Sequence, residues 1–116
     1  MVIALDPKAR HTIWLDEDES VPIAERTTFE VVSPKHAFIV QTATAKDDPL
    51  FWRKTVAEHL RGWANLRNET GELVPCETKD DRATDDAIER LDFNTITELG
   101  SKIIGLARLG RAEKKD

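Results

Sequence analysis

The chain has 116 residues, 40% apolar and 34% charged, with a formal charge of −5 and a pI near 5.2. That length supports one modest core rather than two. The acidic balance argues against a nucleic-acid backbone or an anionic lipid surface as principal partner, since the basic residues are interleaved with acids and form no long patch. No run approaches the ~20 apolar residues a membrane helix needs. The opening MVIALDPKAR is too short an apolar stretch for a signal peptide. Cys76 is the only cysteine, which excludes an internal disulfide and suits a reducing compartment. The expectation is a soluble α+β domain over residues 1–110, with a flexible charged tail over 111–116.

Taken in order, Met1 to Pro7 starts apolar and breaks at the proline. His11 to Leu15 alternates weakly, with Ile13 and Leu15 on one face and Trp14 on the other, and suits a short strand. Asp16 to Ser20 is a loop by charge. Thr27 to Val32 is the strongest strand, β-branched and aromatic, with Phe29 and Val31 sharing a face. Ser33-Pro34 opens a segment through about Ala45 that reads two ways. Ile39, Val40 and Thr42 favour a buried strand, whereas the cap-plus-proline and the alanines favour a helix, the reading taken here.

The stretch from Asp48 to Cys76 organises the chain. Asp48 followed by Pro49 is a helix N-cap with proline at the first helical position. Trp52, Val56 and Leu60 then fall on one helical face, and Gly62 stands where a left-handed stop is wanted. Trp63 to Arg67 and Glu72 to Cys76 flank Asn68-Glu69-Thr70-Gly71, a type I turn with Gly71 left-handed, closing a 63–76 hairpin. Trp63 should pin helix to hairpin. The fold class is therefore α+β, a small antiparallel sheet including this hairpin, packed with three or four helices.

Glu77 to Thr84 reads as a polar connector, and Asp85 to Leu91 as a short helix with Ile88 and Leu91 inward. Asn94 can cap a final helix from Thr95 to about Leu109. Its residues Ile96, Leu99, Ile103 and Leu106 form a heptad-like seam, with Ile104 and Leu109 lying off it. A helix apolar over more than one stripe either buries two faces or offers one to a partner. Glycines at 100 and 105 suit close helix approach, and Gly110 a helix stop.

No catalytic constellation is visible, so no enzyme activity is expected. His11, His36 and His59 share no helical face at metal-ligand spacing and read as exposed or edge residues. Cys76 lacks a helix start or glycine elbow that would activate it and reads as a half-buried structural thiol. The DEDES run lacks the alternating pattern that wraps calcium. Neither a cofactor nor a metal is expected. Of the tryptophans, Trp14 is the one expected to stand partly exposed, as an anchor for another protein.

The span from Phe29 to Ile104 resembles the small tail assembly, or chaperone-like, proteins of long-tailed bacteriophages and prophages. The resemblance rests on F-E-V-V-S-P, a helix ending L-R-G-W, the hairpin W-A-N-L-R-N-E-T-G-E-L-V-P, a polar spacer and the final helix. Its most specific portion is Gly62 to Pro75; Cys76 replaces the usual phenylalanine after that proline, and the leucine-threonine start of the first segment is missing. The resemblance implies a non-enzymatic protein of the host cytoplasm. It would bind the long, helical tape-measure protein, with the tail-tube protein as a further partner, and neither nucleic acid nor membrane. Trp14, Ile96, Ile104 and Leu109 are the candidate contacts. The alternatives are a virion component, such as a tail terminator or head-tail connector subunit, and a small regulatory protein-binding module.

Overall fold

The computed structural model describes residues 9–35, 37–39, 48 and 50–109, with side chains described as far as Leu106. At its centre is strand β2, Thr28–Val32. It pairs antiparallel with β1, Arg10–Ile13, on one side and β3, Leu60–Ala64, on the other. Phe29 and Val31 point to one face and are fully buried, as alternation requires of a half-buried strand. The sheet is covered by helices α1, Phe51–His59, and α3, Phe93–Leu109, with the short α2, Asp85–Ile88, between them in sequence. Val56 and Leu60 join Leu99 and Ile103 in the core with the two strand residues. The fold is α+β, as expected.

Helix α1 ends differently from the sequence reading. Leu60 leaves the helix in extended conformation and becomes the first residue of β3, opposite Val31. Gly62 is therefore not a left-handed stop but a strand residue facing Glu30. The physical reason is that Leu60, with no accessible surface, is anchored in the core where it caps α1 in extended conformation and opens β3. No loop intervenes, so the helix axis is tied directly to the sheet. At the other end the Asp48 carboxylate accepts the Leu50 N–H at 2.8 Å and pairs with Lys54 at 2.9 Å, which holds its pKa below the ordinary carboxylate value. The expected helix over 34–45 lies largely outside the described residues; positions 37–39 are helical.

The hairpin turns where expected. Gly71 has φ +85°, its N–H reaches the Asn68 carbonyl at 3.0 Å, and the Asn68 side chain accepts from the Thr70 and Glu72 amides. Its arms meet through one bridge, Arg67 with Leu73, and through the Val74 N–H to the Leu66 carbonyl at 2.7 Å. Trp63 contacts Phe29 edge-on at 6.3 Å and donates its indole N–H to the Val74 carbonyl at 2.7 Å. It thus pins the returning arm to the sheet.

Two further readings are corrected. Residues 77–84, read as a polar connector, carry strands: β4, Thr78–Lys79, and β5, Arg82–Ala83, form a second hairpin. Asp80 and Asp81 turn it at φ +53° and +65°, a double left-handed turn that short Asp side chains tolerate. The cap of the long helix is Asp92, whose carboxylate accepts the Thr95 N–H at 2.7 Å, so α3 starts at Phe93 and Asn94 lies inside it. Thr84 caps α2 by accepting the Ala87 N–H at 3.2 Å, and Ile88 and Leu91 are buried as expected.

The glycines of α3 differ from each other. A Cβ on Gly100 would stand 2.5 Å from the Trp52 ring, so its absence lets α1 lie against α3. A Cβ on Gly105 would meet nothing within 4 Å; that glycine opens space rather than closing a helix contact. Gly100→Ala should lower stability by about 1–3 kcal/mol through overpacking. Gly105→Ala should raise it by about 0.5–1 kcal/mol by removing backbone freedom from a helix interior. Urea denaturation of the two variants checks both signs.

Candidate functional site

Between β1 and the carboxy-terminal half of α3 lies an open groove of about 420 Å³, lined by Ile13, Trp14, Gly105 and Leu106 with Thr12 and Lys102 at its sides. Strand alternation places Ile13 and Trp14 on opposite sides of the backbone, yet both line this groove because the chain leaves β1 at Ile13. Trp14 is half-buried, as expected, and is held from two directions. The Arg26 guanidinium sits 4.5 Å above its ring, a cation–π contact, and its indole N–H donates to the Glu19 carboxylate.

Arg26 itself is almost fully buried, and its charge is satisfied by carbonyls: Val21 at 2.8 and 3.0 Å and Glu19 at 2.9 Å. The 16–26 loop is therefore wrapped around this one cation. Asp16 fastens the loop to α3, accepting the Lys102 ammonium at 2.8 Å and donating its backbone N–H to Glu98 at 2.7 Å. The acidic DEDES run, expected as a solvated loop, includes a short 3-10 turn at Asp16–Asp18 and braces the tryptophan.

The other proposed contact residues are differently placed. Ile96 and Ile104 are each only 8% exposed, and Ile96 belongs to the core cluster. The Leu109 side chain lies outside the described residues. Sequence reasoning missed Gly105, whose missing side chain leaves the groove floor open; it placed Ile13 only on a strand face and Leu106 only in the helical seam, and both are partly buried and also line the groove. The heptad-like spacing of Leu106 to Ile103 and Leu99 signalled burial but not that its outer edge stays accessible. Exposed apolar side chains also occur at Ile23, Leu50, Leu73 and Phe93, well separated along the chain.

A second cleft, of about 640 Å³, has the opposite character. Lys35, Lys54, Arg61 and Arg82 line it against a single carboxylate, Glu58, with His59 and Ser33 in its wall. His59 is a correction: it is buried at 5% exposure rather than at the surface. Its ring Nδ1 is 2.7 Å from the Thr55 carbonyl, and Phe38 meets it edge-on at 4.7 Å. A carbonyl only accepts, so Nδ1 carries the proton. Burial lowers its pKa, and the Thr55 hydrogen bond offsets part of that. Cys76 is half-buried, and burial pushes its thiol pKa up, the opposite of an activated nucleophile. Among the described residues no group of three or more His, Cys, Asp and Glu can hold a metal ion, and no helix is long and apolar enough to cross a membrane.

No protein-family model, curated protein or solved structure matches this chain.

Because the folded pKa of His59 lies below the ordinary 6.5, its buried neutral form contributes stability that is complete above that value and is lost as pH falls through the folded pKa. The lowered carboxyls of Asp48 and Asp92 act in a separate window, below their ordinary 3.8. The urea midpoint should therefore drop between pH 7 and pH 5. His59→Asn, which retains an N–H for the Thr55 carbonyl but does not titrate, should flatten that segment of the profile.

Proposed function

We propose that this chain is a non-enzymatic phage tail assembly protein, a chaperone that binds the tape-measure protein in the cytoplasm of the bacterial host. The observation that carries the reading is the groove formed by Ile13, Trp14, Gly105 and Leu106. It presents a braced indole and aliphatic edges beside β1, which pairs on one side only among the described residues. Such a strip suits one apolar face of a long amphipathic helix, with Trp14 as the anchor. The net charge of −5 would keep a complex with an apolar chain dispersed. The tail-tube protein is a further partner under this reading. The likeness of Gly62 to Pro75 to tail assembly proteins supplies the biological setting, and the groove supplies the means.

One observation favours a second reading, a virion component such as a tail terminator or connector subunit. The edge of β1 that pairs with no other strand among the described residues can also pair with another copy of the chain and build a ring.

Co-expression with the longest helical protein encoded downstream, followed by affinity purification, separates the two. The wild-type chain should render that protein soluble and co-elute with it. Gly105→Glu places a charge in the groove where a Cβ meets no neighbour, so the variant should fold and lose at least tenfold in affinity, about 1.4 kcal/mol. Undiminished co-elution of the variant would remove the groove from the account. An insoluble partner beside a ring-sized oligomer of this chain would replace the chaperone with the virion component.

A further inference from the structure

The cationic cleft shares no lining residue with the Trp14 groove, and nothing in the proposed function uses it. In a chain with a formal charge of −5, four cationic side chains gathered against one carboxylate are a local reversal of sign. The pairing inside the cleft leaves positive charge over. Lys54 is committed to Asp48 at 2.9 Å. Arg82 reaches Glu58 only at 3.4 Å. Arg61 donates to the Glu58 and Leu60 carbonyls, and neither it nor Lys35 has a carboxylate within ion-pair distance among the described residues.

We propose that this cleft binds an oxyanion, held by the guanidinium groups of Arg61 and Arg82 and the ammonium of Lys35, with the His59 imidazole and the Ser33 hydroxyl as further donors. Guanidinium groups present paired N–H donors that match the oxygens of carboxylate and phosphate alike. The two sources of such a group are free inorganic phosphate and a carboxylate carried by an acidic protein segment.

The elements fix these groups without any loop of their own. Arg61 follows directly on the α1-to-β3 junction, next to His59 and Leu60. Arg82 comes from β5, positioned by the Asp80-Asp81 turn, and Lys35 from the chain just beyond β2. With Nδ1 of His59 committed to Thr55, the ring nitrogen left for the cleft is Nε2. Burial and then the Arg61 and Arg82 charges disfavour protonation of this ring, and the Thr55 hydrogen bond and Glu58 favour it; Lys35 and Lys54 add positive charge across the cleft. An oxyanion reverses that balance. Nε2 takes up a proton and donates it in a hydrogen bond to the ligand.

The test is an NMR titration of the histidine ring resonances of the full chain at constant ionic strength, with sodium chloride, inorganic phosphate, or a polyglutamate peptide. Phosphate or the peptide should raise the His59 pKa by about one unit relative to chloride, and whichever does so identifies the source. Arg61→Gln with Arg82→Gln should abolish the shift. Lys35→Gln, an exposed position whose substitution leaves the core intact, should reduce it even if the double variant fails to fold. Equal His59 values in all three solutions, or a shift that Lys35→Gln leaves unchanged, would overturn the proposal.

Discussion

The contact on which the rest depends is the Trp52 ring lying over Gly100. It sets the distance between α1 and α3, and α1 passes without a loop into β3. Because Leu60 is both the end of the helix and the start of the strand, any change in the spacing of the helices is transmitted to the sheet. The buried set Phe29, Val31, Val56, Leu99 and Ile103 closes around that junction. Core side chains packed at crystal-like density have little room to adjust, so a single missing Cβ can govern how two helices meet.

Both surfaces singled out here are consequences of that geometry. With α3 held against α1 at Gly100, its later turns run beside β1, and Gly105 leaves the floor of the Trp14 groove open. The direct α1-to-β3 junction places His59 and Arg61 two residues apart on either side of the change from helix to strand. From there both reach the cleft that Arg82 and Lys35 complete. The groove carries an indole and aliphatic edges, and the cleft is locally cationic. The acidic residues of the 16–19 run serve as braces, fixing Trp14 and fastening their loop to α3.

Much of this was legible in the sequence. Alternation in Thr28–Val32 marked the central strand, and the Asn68–Gly71 turn showed in its Asn and Gly. The seam of α3 announced its buried residues by spacing. What escaped notice depended on partners distant in sequence. Gly62 has the local signature of a helix stop, and only its pairing opposite Glu30 on the central strand turns it into sheet. Asp80-Asp81 reads as a solvated pair, because Asp is a less common choice than Asn-Gly for a left-handed turn. His59 follows a charged helical face and gives no hint of burial until Phe38 and the Thr55 carbonyl are brought to it. Gly100 and Gly105 look alike in sequence, yet only the first faces another helix. The grooves themselves, assembled from separate elements, had no local signal at all.

The central claim is that the β1–α3 groove receives an apolar helical partner. Hydrogen exchange of the chain, alone and in complex with the helical protein encoded downstream, tests it most directly. Slowed exchange should be confined to the amides of β1 and the later turns of α3, around Ile13, Trp14, Gly105 and Leu106. Protection that falls elsewhere, with those amides exchanging as fast as in the free chain, would contradict it.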